Sequence, residues 1–349
     1  MGTVLPVWET VVLAFLVDLA VGDPRWLSHP TVLMGKGITL FEKAAGSLLD
    51  GRRHPDGEPR PDHLLYGKSR ADDRSRPDNR RAKRVAGVLL VVVIVGGSYL
   101  ATAGLLRLAA KAGGGFAAAL GVWLMSTTIA ARGLAGAGLE IARFLAGGDL
   151  ETSRAKLAWI VGRDTRELTP EEVVRAVVET VAENTVDGVT APLLYGLVGG
   201  APLAMAYRAV NTLDSMVGYR NEKYADFGWA AARFDDLVNY IPARLTAAAL
   251  VLAAALDNRG WRKTARAIWR DGRKHPSPNS GLMEAGVAGA LGVRLGGTNY
   301  YQGVPSFRPY LGEESTPLAA PCIREAVVLM AITSVLVLIM GVFLRAMLG

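Results

Sequence analysis

The sequence has very little cysteine, and it lacks the common nucleotide-binding and hydrolase signatures. Cys322 is the single cysteine in 349 residues, which excludes a disulfide framework within the chain and any site built from several thiolates. A G-x-x-x-x-G-K-[ST] string is absent, so the glycine runs near Gly113 and Gly199 are not a phosphate loop of that kind. The strings G-x-S-x-G and H-E-x-x-H are absent as well. Any chemistry here must use other groups.

Long uncharged apolar runs, by contrast, are frequent. Half of the residues are hydrophobic, and the mean hydropathy is positive. The strongest run covers residues 85–110 and contains one charged residue, Arg107, and residues 116–131 and 327–344 form two similar runs. About 20 apolar helical residues cross a hydrocarbon layer of roughly 30 Å. We therefore predict membrane-spanning helices near residues 85–108, 116–136 and 325–347.

The N-terminal apolar run, residues 4–21, is a weaker span because it contains Glu9 and Asp18. A signal peptide is the alternative interpretation. No basic start and no clear small-residue cleavage site are present, so we favour a retained span. Residues 189–209 and 241–257 are apolar but short or interrupted by proline and glycine, and we predict partial or re-entrant helices there.

Basic residues are concentrated in one polar segment. Residues 51–84 contain eleven Lys and Arg, interleaved with Asp, Pro and Gly and nearly free of aromatic residues. A nucleic-acid-binding arm is one interpretation, but the interleaved acids favour a disordered basic loop and no nucleic-acid partner. The positive-inside rule then places this loop, and the region after Arg132, in the cytoplasm.

The polar chemistry begins in a predicted helix over residues 171–187. Thr169 and the proline after it are typical of a helix start, and acidic residues follow in the first turn. Glu179, Glu183 and Asp187 recur every four residues and share one face of the helix. A solvated acidic face is the alternative, but no Lys or Arg lies between these carboxylates and an apolar stretch follows them. Since hard oxygen ligands suit Mg²⁺, we predict a metal or substrate site here.

Further polar strings follow in the second half of the chain. Asn211 and Asp214 lie one helical turn apart, and Asp235 precedes Asp236 in a similar string. Carboxylates at a membrane edge are costly without a function, which favours a role for them. Adjacent Asp235 and Asp236 cannot both face one site, however. Residues 296–301 are predicted as a polar loop that forms a wall of the ligand site.

Residues 271–281 form a third string, rich in proline, serine and basic residues. We predict a helix over residues 282–291, with Ser277 and Ser280 capping its start. Its first amide groups, together with the ammonium of Lys274, would bind phosphate or carboxylate. An ordinary proline and serine turn is the alternative.

Asp187 and Gly188 invite comparison with the D-G-x-x-A-R opening of the CDP-alcohol phosphotransferases, but Pro192 stands where the arginine belongs, so that interpretation fails. Five longer strings, spread over most of the chain, closely resemble the adenosylcobinamide-phosphate synthases of cobalamin biosynthesis. They are L-x-x-G-D-P-R-x-x-x-H-P (19–30), E-T-V-A-E-N-T-V-D-G (179–188), N-T-L-D-S-M-V-G-Y-R-N (211–221), A-A-R-x-D-D-x-x-N-Y-I-P-A-R (231–244) and K-H-P-S-P-N-S-G (274–281).

The apolar runs predict an all-α fold, a polytopic membrane helical bundle that forms one domain over residues 1–349, with polar helices in the membrane and at its cytoplasmic face. The resemblance implies a ligase in the inner (cytoplasmic) membrane with a cytoplasmic active site. It would join a carboxylate of adenosylcobyric acid to the amine of 1-aminopropan-2-yl phosphate, or of ethanolamine phosphate, with ATP and Mg²⁺. The lipid bilayer and other membrane enzymes of late cobalamin assembly are the further partners expected.

Roles follow as hypotheses within this resemblance. An amine attacks a carboxylate only after activation, for instance as an acyl phosphate, and phosphoryl transfer depends on positioning and charge stabilisation. The candidate catalytic residues are Glu183, Asp187, His275 and Asp235, the last two as acceptors of the amine proton. The candidate Mg²⁺ ligands are Glu179, Glu183, Asp187 and Asp214. The candidate substrate-binding and phosphate-binding residues are Arg163, Asn184, Asn211, Arg220, Asn221, Lys223, Lys274, Ser277, Asn279, Ser280 and Asn299.

Two alternatives stay open. A non-catalytic corrinoid-binding membrane scaffold or transporter would also explain apolar spans and buried acids, although it has no need of so many phosphate-suited groups. A soluble enzyme with a large apolar core is the other alternative, and extraction without detergent would reveal it.

Overall fold

The computed structural model of the chain describes residues 5–22, 29–50, 77–219 and 221–347. The helices are α1 Val7–Val21, α2 Pro30–Asp50, α3 Pro77–Ala112, α4 Gly114–Ser126, α5 Ala131–Ala146, α6 Leu150–Leu157, α7 Pro170–Thr185, α8 Ala191–Val217, α9 Trp229–Val238, α10 Tyr240–Leu256, α11 Trp261–Asp271, α12 Ser280–Leu291 and α13 Ala320–Met347. A π-helical segment, Val186–Thr190, joins α7 to α8. An antiparallel hairpin of β1 Leu295–Tyr301 and β2 Val304–Leu311 lies between α12 and α13.

The described residues confirm the predicted all-α, polytopic membrane fold. Four helical stretches are long and apolar enough to cross a membrane, and α9 with α10, bent by 44°, adds a fifth when the pair counts as one span. The four stretches are Arg80–Ala112, Gly114–Ala146, Pro170–Val217 and Ala320–Met347.

The positions of the predicted spans agree with these stretches to different degrees. The spans predicted near residues 85–108 and 325–347 lie within α3 and α13. The span predicted near residues 116–136 contains a turn, because α4 ends at Ser126 and α5 begins at Ala131.

The N-terminal helix is shorter than predicted. α1 has 15 residues, a length of about 22 Å at 1.5 Å per residue. Its Asp18 is buried and accepts a hydrogen bond from the Arg132 backbone N–H at 3.2 Å. The acid that weakens the apolar run therefore has a protein partner.

The chain predicted as one domain over residues 1–349 divides into two compact units. The first unit comprises Met1–Leu27, Tyr99–Arg208 and Asp236–Gly349, and the second comprises Ser28–Ser98 and Ala209–Asp235. The core of the second unit includes Ile38, Leu90, Leu213 and Phe227. In that core Gly87 leaves room for the Phe227 carbonyl, since a Cβ at Gly87 would lie 2.0 Å from that oxygen.

The core of the first unit is built around α7. The helix begins with a capping box, in which Thr169 Oγ1 accepts the Glu172 N–H and the Glu172 carboxylate accepts the Thr169 N–H, as expected for this helix start. Helices α5, α12 and α13 pack around α7, and most of its side chains are buried. Because protein surrounds α7, its polar side chains meet other protein groups.

The apolar stretch at residues 189–209 is interrupted, as predicted. Gly199 and Gly200 leave helical geometry inside α8, with a φ of 67° at Gly200, and Pro202 follows. Glycine adopts this left-handed conformation without the steric cost that a side chain would add. The stretch predicted at residues 241–257 corresponds to α10, which has 17 residues.

Two segments predicted as polar loops contain regular secondary structure. Residues 51–76 of the predicted basic loop lie outside the described residues. The rest of that loop, 77–84, is the first part of α3, where Arg80 and Arg84 pair with Asp226 at 3.1 and 2.9 Å. The polar loop predicted at residues 296–301 is strand β1.

Candidate active site

The first unit gathers acidic and basic side chains around one face of α7. Glu179 and Glu183 lie one helical turn apart on this helix, and Glu284 reaches them from α12. We call this group of side chains the charged centre. Its members are Glu179, Glu183, Glu284, Arg163, Arg175, Arg308 and His275.

Glu179 is fully engaged inside the protein. Its Oε2 accepts a hydrogen bond from Arg163 Nη2 at 2.5 Å, and its Oε1 accepts one from the Gly296 backbone N–H at 2.9 Å. Both side chains of the ion pair are buried. Each oxygen of this carboxylate thus has a protein partner, which gives Glu179 a structural role, and its role as a metal ligand stays a prediction.

The arginines fasten α7 to the hairpin. Arg163 Nη1 and Arg175 Nη2 both donate to Asn299 Oδ1, at 2.7 and 3.2 Å. Arg175 also donates to the backbone carbonyls of Gly296 and Thr298. Arg163 and Asn299, predicted to bind phosphate or substrate, are thus brought together, and their side chains hydrogen-bond to each other and to α7.

A glycine pair in β1 makes this approach feasible. Gly296 and Gly297 have φ values of 86° and 93°, in the region that favours glycine. A Cβ at Gly297 would lie 2.7 Å from Arg175 Nη1. The Arg175 guanidinium therefore occupies the space that a side chain at Gly297 would need.

Glu183 differs from Glu179 although both point from the same face. It is half-buried, and its Oε1 accepts a hydrogen bond from Ser280 Oγ at 3.0 Å. Within the described ranges no Lys or Arg lies within ion-pair distance of it. Ser280 thus joins Glu183 to the string at residues 274–281.

The neighbours of Glu183 on α7 and the π-helical segment are also partly accessible. Asn184 and Asp187 are half-buried. The Asn184 amide donates to the Thr180 carbonyl at 2.9 Å, and the Asp187 carbonyl accepts from Tyr207 Oη and Arg208 Nη1 at 3.5 and 3.4 Å.

His275 is enclosed, with 7% of its side chain exposed. The Ser277 backbone N–H donates to its Nδ1 at 3.0 Å, and Arg308 Nη1 lies 3.5 Å from its Nε2. Burial and the positive charge of Arg308 both lower the pKa of His275, which favours the neutral form of the ring. The role of His275 as acceptor of the amine proton stays a prediction.

Glu284 is the most deeply enclosed acid of the charged centre. Its Oε1 lies 3.7 Å from His275 Nε2 and 3.9 Å from Arg308 Nη1, and no donor among the described residues makes a hydrogen bond to it. Burial raises the pKa of Glu284 well above its usual range, and the charges of Glu179 and Glu183 raise it further. The carboxyl is therefore held in its neutral form.

The string at residues 274–281 is folded back on itself. A Cβ at Gly281 would lie 2.5 Å from His275 Cβ and 2.4 Å from the Gly272 carbonyl oxygen, so a glycine is needed there. Ser277 Oγ accepts the Asn279 N–H at 3.3 Å. Asn279 is buried and donates to the Asp236 carbonyl at 2.8 Å, which gives it a structural contact.

The predicted helix start and anion site at this string differ in detail. The helix begins at Ser280, not at residue 282, and the hydroxyl of Ser280 binds Glu183 instead of capping the helix. Lys274 Nζ lies 2.7 Å from Asp271 Oδ1. The ammonium predicted to bind phosphate is thus paired with a buried carboxylate.

The remaining candidates lie in the second unit. Asn211 and Asp214 are on α8, and Asp235 is on α9. Lys223 Nζ lies 2.6 Å from Glu42 Oε1, and Asn221 Oδ1 accepts the Tyr224 N–H at 3.0 Å. Arg220 lies outside the described residues. The substrate roles of these residues stay predictions.

The predicted cluster of four Mg²⁺ ligands is not assembled. Among the described residues no group of three or more His, Cys, Asp or Glu is placed to hold a metal ion. Glu183 and Asp187 remain as half-buried carboxylates at helical spacing. Two carboxylates fit Mg²⁺ when substrate phosphates and waters complete its shell.

Buried polar atoms of the charged centre are left without partners in the described structure. They are Arg175 Nε, Asn299 Nδ2 and Glu284 Oε1. Such groups are rare in folded proteins, and each calls for a partner. The two donors, Arg175 Nε and Asn299 Nδ2, are suited to anionic oxygens.

Sequence reasoning missed Arg175, Glu284 and Arg308 as site residues. Two helical spacings could have indicated the first two as site residues. Arg175 precedes Glu179 by four residues, and Glu284 follows Ser280 by four, so each pair shares one face of a helix. Arg308 had no such signal. It comes into the site through the hairpin, where its Nη2 donates to Tyr301 Oη at 3.3 Å.

Apolar spanning helices and a buried charged centre together define the class, an all-α polytopic membrane protein with an enclosed polar site. Comparison of the sequence with known proteins identifies its family. The CobD/CbiB protein family matches the chain over residues 11–330. The chain therefore belongs to the CobD/CbiB family.

Individual relatives cover nearly the full chain. A cobalamin biosynthesis protein CobD from Geobacter metallireducens is 48% identical over 323 residues, which is 92% of this chain and 91% of that protein. A cobalamin biosynthesis protein CbiB from Salmonella typhimurium is 43% identical over 327 residues, 93% of each chain. No solved structure matches the chain. These names support a role in cobalamin biosynthesis.

Proposed function

We propose that the chain is an amide-forming ligase of cobalamin biosynthesis. It would condense a carboxylate of adenosylcobyric acid with 1-aminopropan-2-yl phosphate, or with ethanolamine phosphate, in an ATP-dependent reaction that gives adenosylcobinamide phosphate. The family and the names of its members support the pathway. The resemblance of the motif strings supports the reaction, the cytoplasmic membrane and a site that faces the cytoplasm.

The observation that carries the proposal is that two glutamates of the charged centre, Glu179 and Glu183, have different partners. Glu179 and Arg163 neutralise each other, whereas Glu183 has a hydroxyl partner and is half-buried. In the same centre, where Arg175 and Arg163 meet Asn299, Arg175 Nε and Asn299 Nδ2 are buried donors without hydrogen-bond partners among the described residues. A site with free donors for anions and one available carboxylate is suited to substrates that carry carboxylate and phosphate groups.

Glu183 and Asp187 are the residues that would hold Mg²⁺ together with substrate phosphate oxygens. Bound there, the ion would supply positive charge against the phosphate groups. The protein groups around it hold substrate: Arg175 and Asn299 would donate to anionic oxygens, and Ser280 fixes the orientation of Glu183.

His275 and Asp235 stay the predicted acceptors of the amine proton. Burial lowers the pKa of His275, and a neutral ring has one nitrogen that can take up a proton. Burial raises the pKa of Glu284, and its neutral carboxyl would donate a hydrogen bond to a substrate oxygen.

The test uses the full-length chain purified in detergent. Adenosylcobyric acid, 1-aminopropan-2-yl phosphate, ATP and Mg²⁺ are supplied, and both ADP and the amide product are measured. We expect both to form, and we expect Glu183→Gln to lose activity on the order of 100-fold because the available carboxylate is removed. Ethanolamine phosphate in a parallel reaction compares the two amines.

A scaffold or transporter gives a different pattern. It binds corrinoid without forming ADP or amide, and Glu183→Gln then still complements a corrinoid auxotroph. That combination would refute the ligase proposal. If the protein is extracted without detergent, the membrane setting of the proposal fails as well.

A further inference from the structure

Helix α11 carries a positively charged, aromatic face that the charged centre does not use. Its sequence from Trp261 to Asp271 is W-R-K-T-A-R-A-I-W-R-D, and Arg273 follows two residues later. Both tryptophans are exposed, Trp269 to 84% and Trp261 to 48%. A side chain as large and apolar as tryptophan is seldom left this exposed in water without a partner surface.

The opposite face of α11 is fixed against α12. Thr264, Ala267 and Asp271 are the buried residues of the helix. Gly289 on α12 admits this approach, since a Cβ there would lie 2.6 Å from Ala267 Cβ and 2.9 Å from the Lys263 carbonyl oxygen. Such close packing sets the rotation of α11 about its axis.

The rotation puts four side chains in one outward row. Arg262, Arg266 and Trp269 follow at spacings of four and three residues, which is one face of a helix, and Arg273 lies over the Trp269 ring from the turn after α11. All four are exposed. We call this row the α11 stripe. Arg262 and Arg273 lie over the rings of Trp261 and Trp269, at 5.2 and 6.0 Å from the ring centres.

The charges of the α11 stripe are not neutralised inside the described part of the chain. Arg262, Arg266 and Arg273 have no acidic partner there, in contrast to Arg270 and Lys274, which pair with the buried Asp271 at 2.6 and 2.7 Å. Arg270 and Lys274 are thus paired with an acid, whereas the three arginines of the α11 stripe are not. The positive charge of the stripe is therefore available to anions from outside the protein.

The position of α11 in the chain fixes what lies near it. The apolar helix α10, which with α9 forms a candidate span, ends at Leu256, and α11 begins at Trp261. Four residues reach at most about 14 Å when extended. The helix therefore starts close to the end of a membrane-spanning segment, at the depth where tryptophan and lipid headgroups are found.

From this geometry we infer that the α11 stripe is a docking surface for anionic phospholipid headgroups of the surrounding bilayer. The guanidinium groups of Arg262, Arg266 and Arg273 bind headgroup phosphates, and Trp269 enters the interfacial layer. The inference concerns the membrane setting of the fold and does not depend on the proposed reaction.

The experiment uses the full-length protein in nanodiscs of phosphatidylcholine that contain either brominated phosphatidylglycerol or brominated phosphatidylcholine at equal mole fraction. Bromine quenches nearby tryptophan fluorescence. The chain has seven tryptophans, so the signal of Trp269 is obtained as the difference from Trp269→Phe. We expect the quenching of Trp269 by the anionic lipid to be several times that by the zwitterionic lipid.

Two matched variants separate charge from shape. R262Q/R266Q/R273Q removes three positive charges, and we expect the ratio of anionic to zwitterionic quenching to fall to about 1, since each basic residue near an anionic surface contributes substantially to its attraction. R262K/R266K/R273K keeps the charges, and we expect it to keep the ratio. High salt should lower the ratio of the unaltered protein.

Four results would overturn the inference, and three of them are read from the quenching alone. They are equal quenching by both lipids in the unaltered protein, no quenching by either, and an unchanged ratio in the Gln triple variant. A fourth is a change of oligomeric state in the Gln triple variant with unchanged quenching, which would assign the stripe to a second copy of the chain. The first two use the unaltered protein and its Trp269→Phe difference, so they hold even where the triple variant misfolds.

Discussion

Glu179 and Glu183 lie on the same face of α7, one turn apart, but their surroundings differ. Glu179 is 2% exposed and both of its oxygens are occupied by Arg163 and Gly296. Glu183, four residues later, is half-buried and accepts one hydroxyl hydrogen bond. The comparison shows that spacing alone places a carboxylate at a site, while long-range partners decide whether it is structural or available to a ligand.

The largest effect is expected from Glu179→Gln. Loss of one partner leaves the Arg163 guanidinium buried without its counter-charge, which costs about 3–5 kcal/mol of unfolding free energy. Thermal unfolding in detergent measures this. Arg163→Met/Glu179→Leu is the control, because removal of both charges should cost less than removal of one. A loss below about 1 kcal/mol for Glu179→Gln would show that the pair does not stabilise the fold.

Glu183→Gln should give the reverse pattern. Its carboxylate has no cationic partner among the described residues, so we expect a stability change below about 1 kcal/mol. Activity should fall on the order of 100-fold, equivalent to about 2.7 kcal/mol of barrier. Ser280→Ala, which removes the hydroxyl bonded to Glu183, serves as the milder companion. Equal stability losses for Glu179→Gln and Glu183→Gln would abolish the distinction between the two turns.

Glu284→Gln tests the third carboxyl through its pH dependence. A raised folded-state pKa means that the unfolded state ionises first as pH rises, so wild-type stability is greatest below the unfolded pKa and falls as pH rises toward the folded pKa. Glutamine lacks this dependence. We expect the variant to differ from wild type by under about 1 kcal/mol at pH 5, and to gain on wild type between pH 5 and pH 8. Thermal midpoints at four pH values measure the difference, and an opposite slope would refute a neutral Glu284.

The smallest effect is expected from Lys274→Gln. The Lys274 ammonium is 47% exposed and pairs with Asp271, which Arg270 also holds. Exposed ion pairs contribute at most about 1 kcal/mol, so stability should change little. A loss of activity as large as that of Glu183→Gln would restore Lys274 to the substrate site. Steady-state turnover of both variants decides between the two.

Much of the fold is readable from the sequence because long apolar runs leave few alternatives. The runs that contain α3 and α13 were placed correctly, and so was the helix start at Thr169. The hairpin was missed for a specific reason. Its turn residues Gln302 and Gly303 both have positive φ values, of 53° and 78°, and glutamine is not a residue that signals such a turn.

The candidate site was predicted in part. Glu179, Glu183, Ser280 and His275 do meet in the first unit, because helical spacing and a glycine-rich fold-back bring them there. Their individual roles were not readable. The two partners of Glu179 are Arg163, 16 residues before it, and Gly296, 117 residues after it. No local sequence pattern indicates contacts at such separations. The sequence did not indicate that Lys274 pairs with Asp271, three residues before it and buried, and its phosphate-binding role stays a prediction.

The π-helical segment Val186–Thr190 gives the chain a property that an ordinary helix lacks. Its wider turn holds one residue more than an α-helical turn would, directly where the acidic face of α7 gives way to the apolar start of α8. Because the wider turn takes up this residue locally, the helix that follows keeps its faces, and deleting one residue there would restore an α-helical ladder without turning α8 about its axis. The cost of the extra residue is thus confined to five residues, Val186–Thr190.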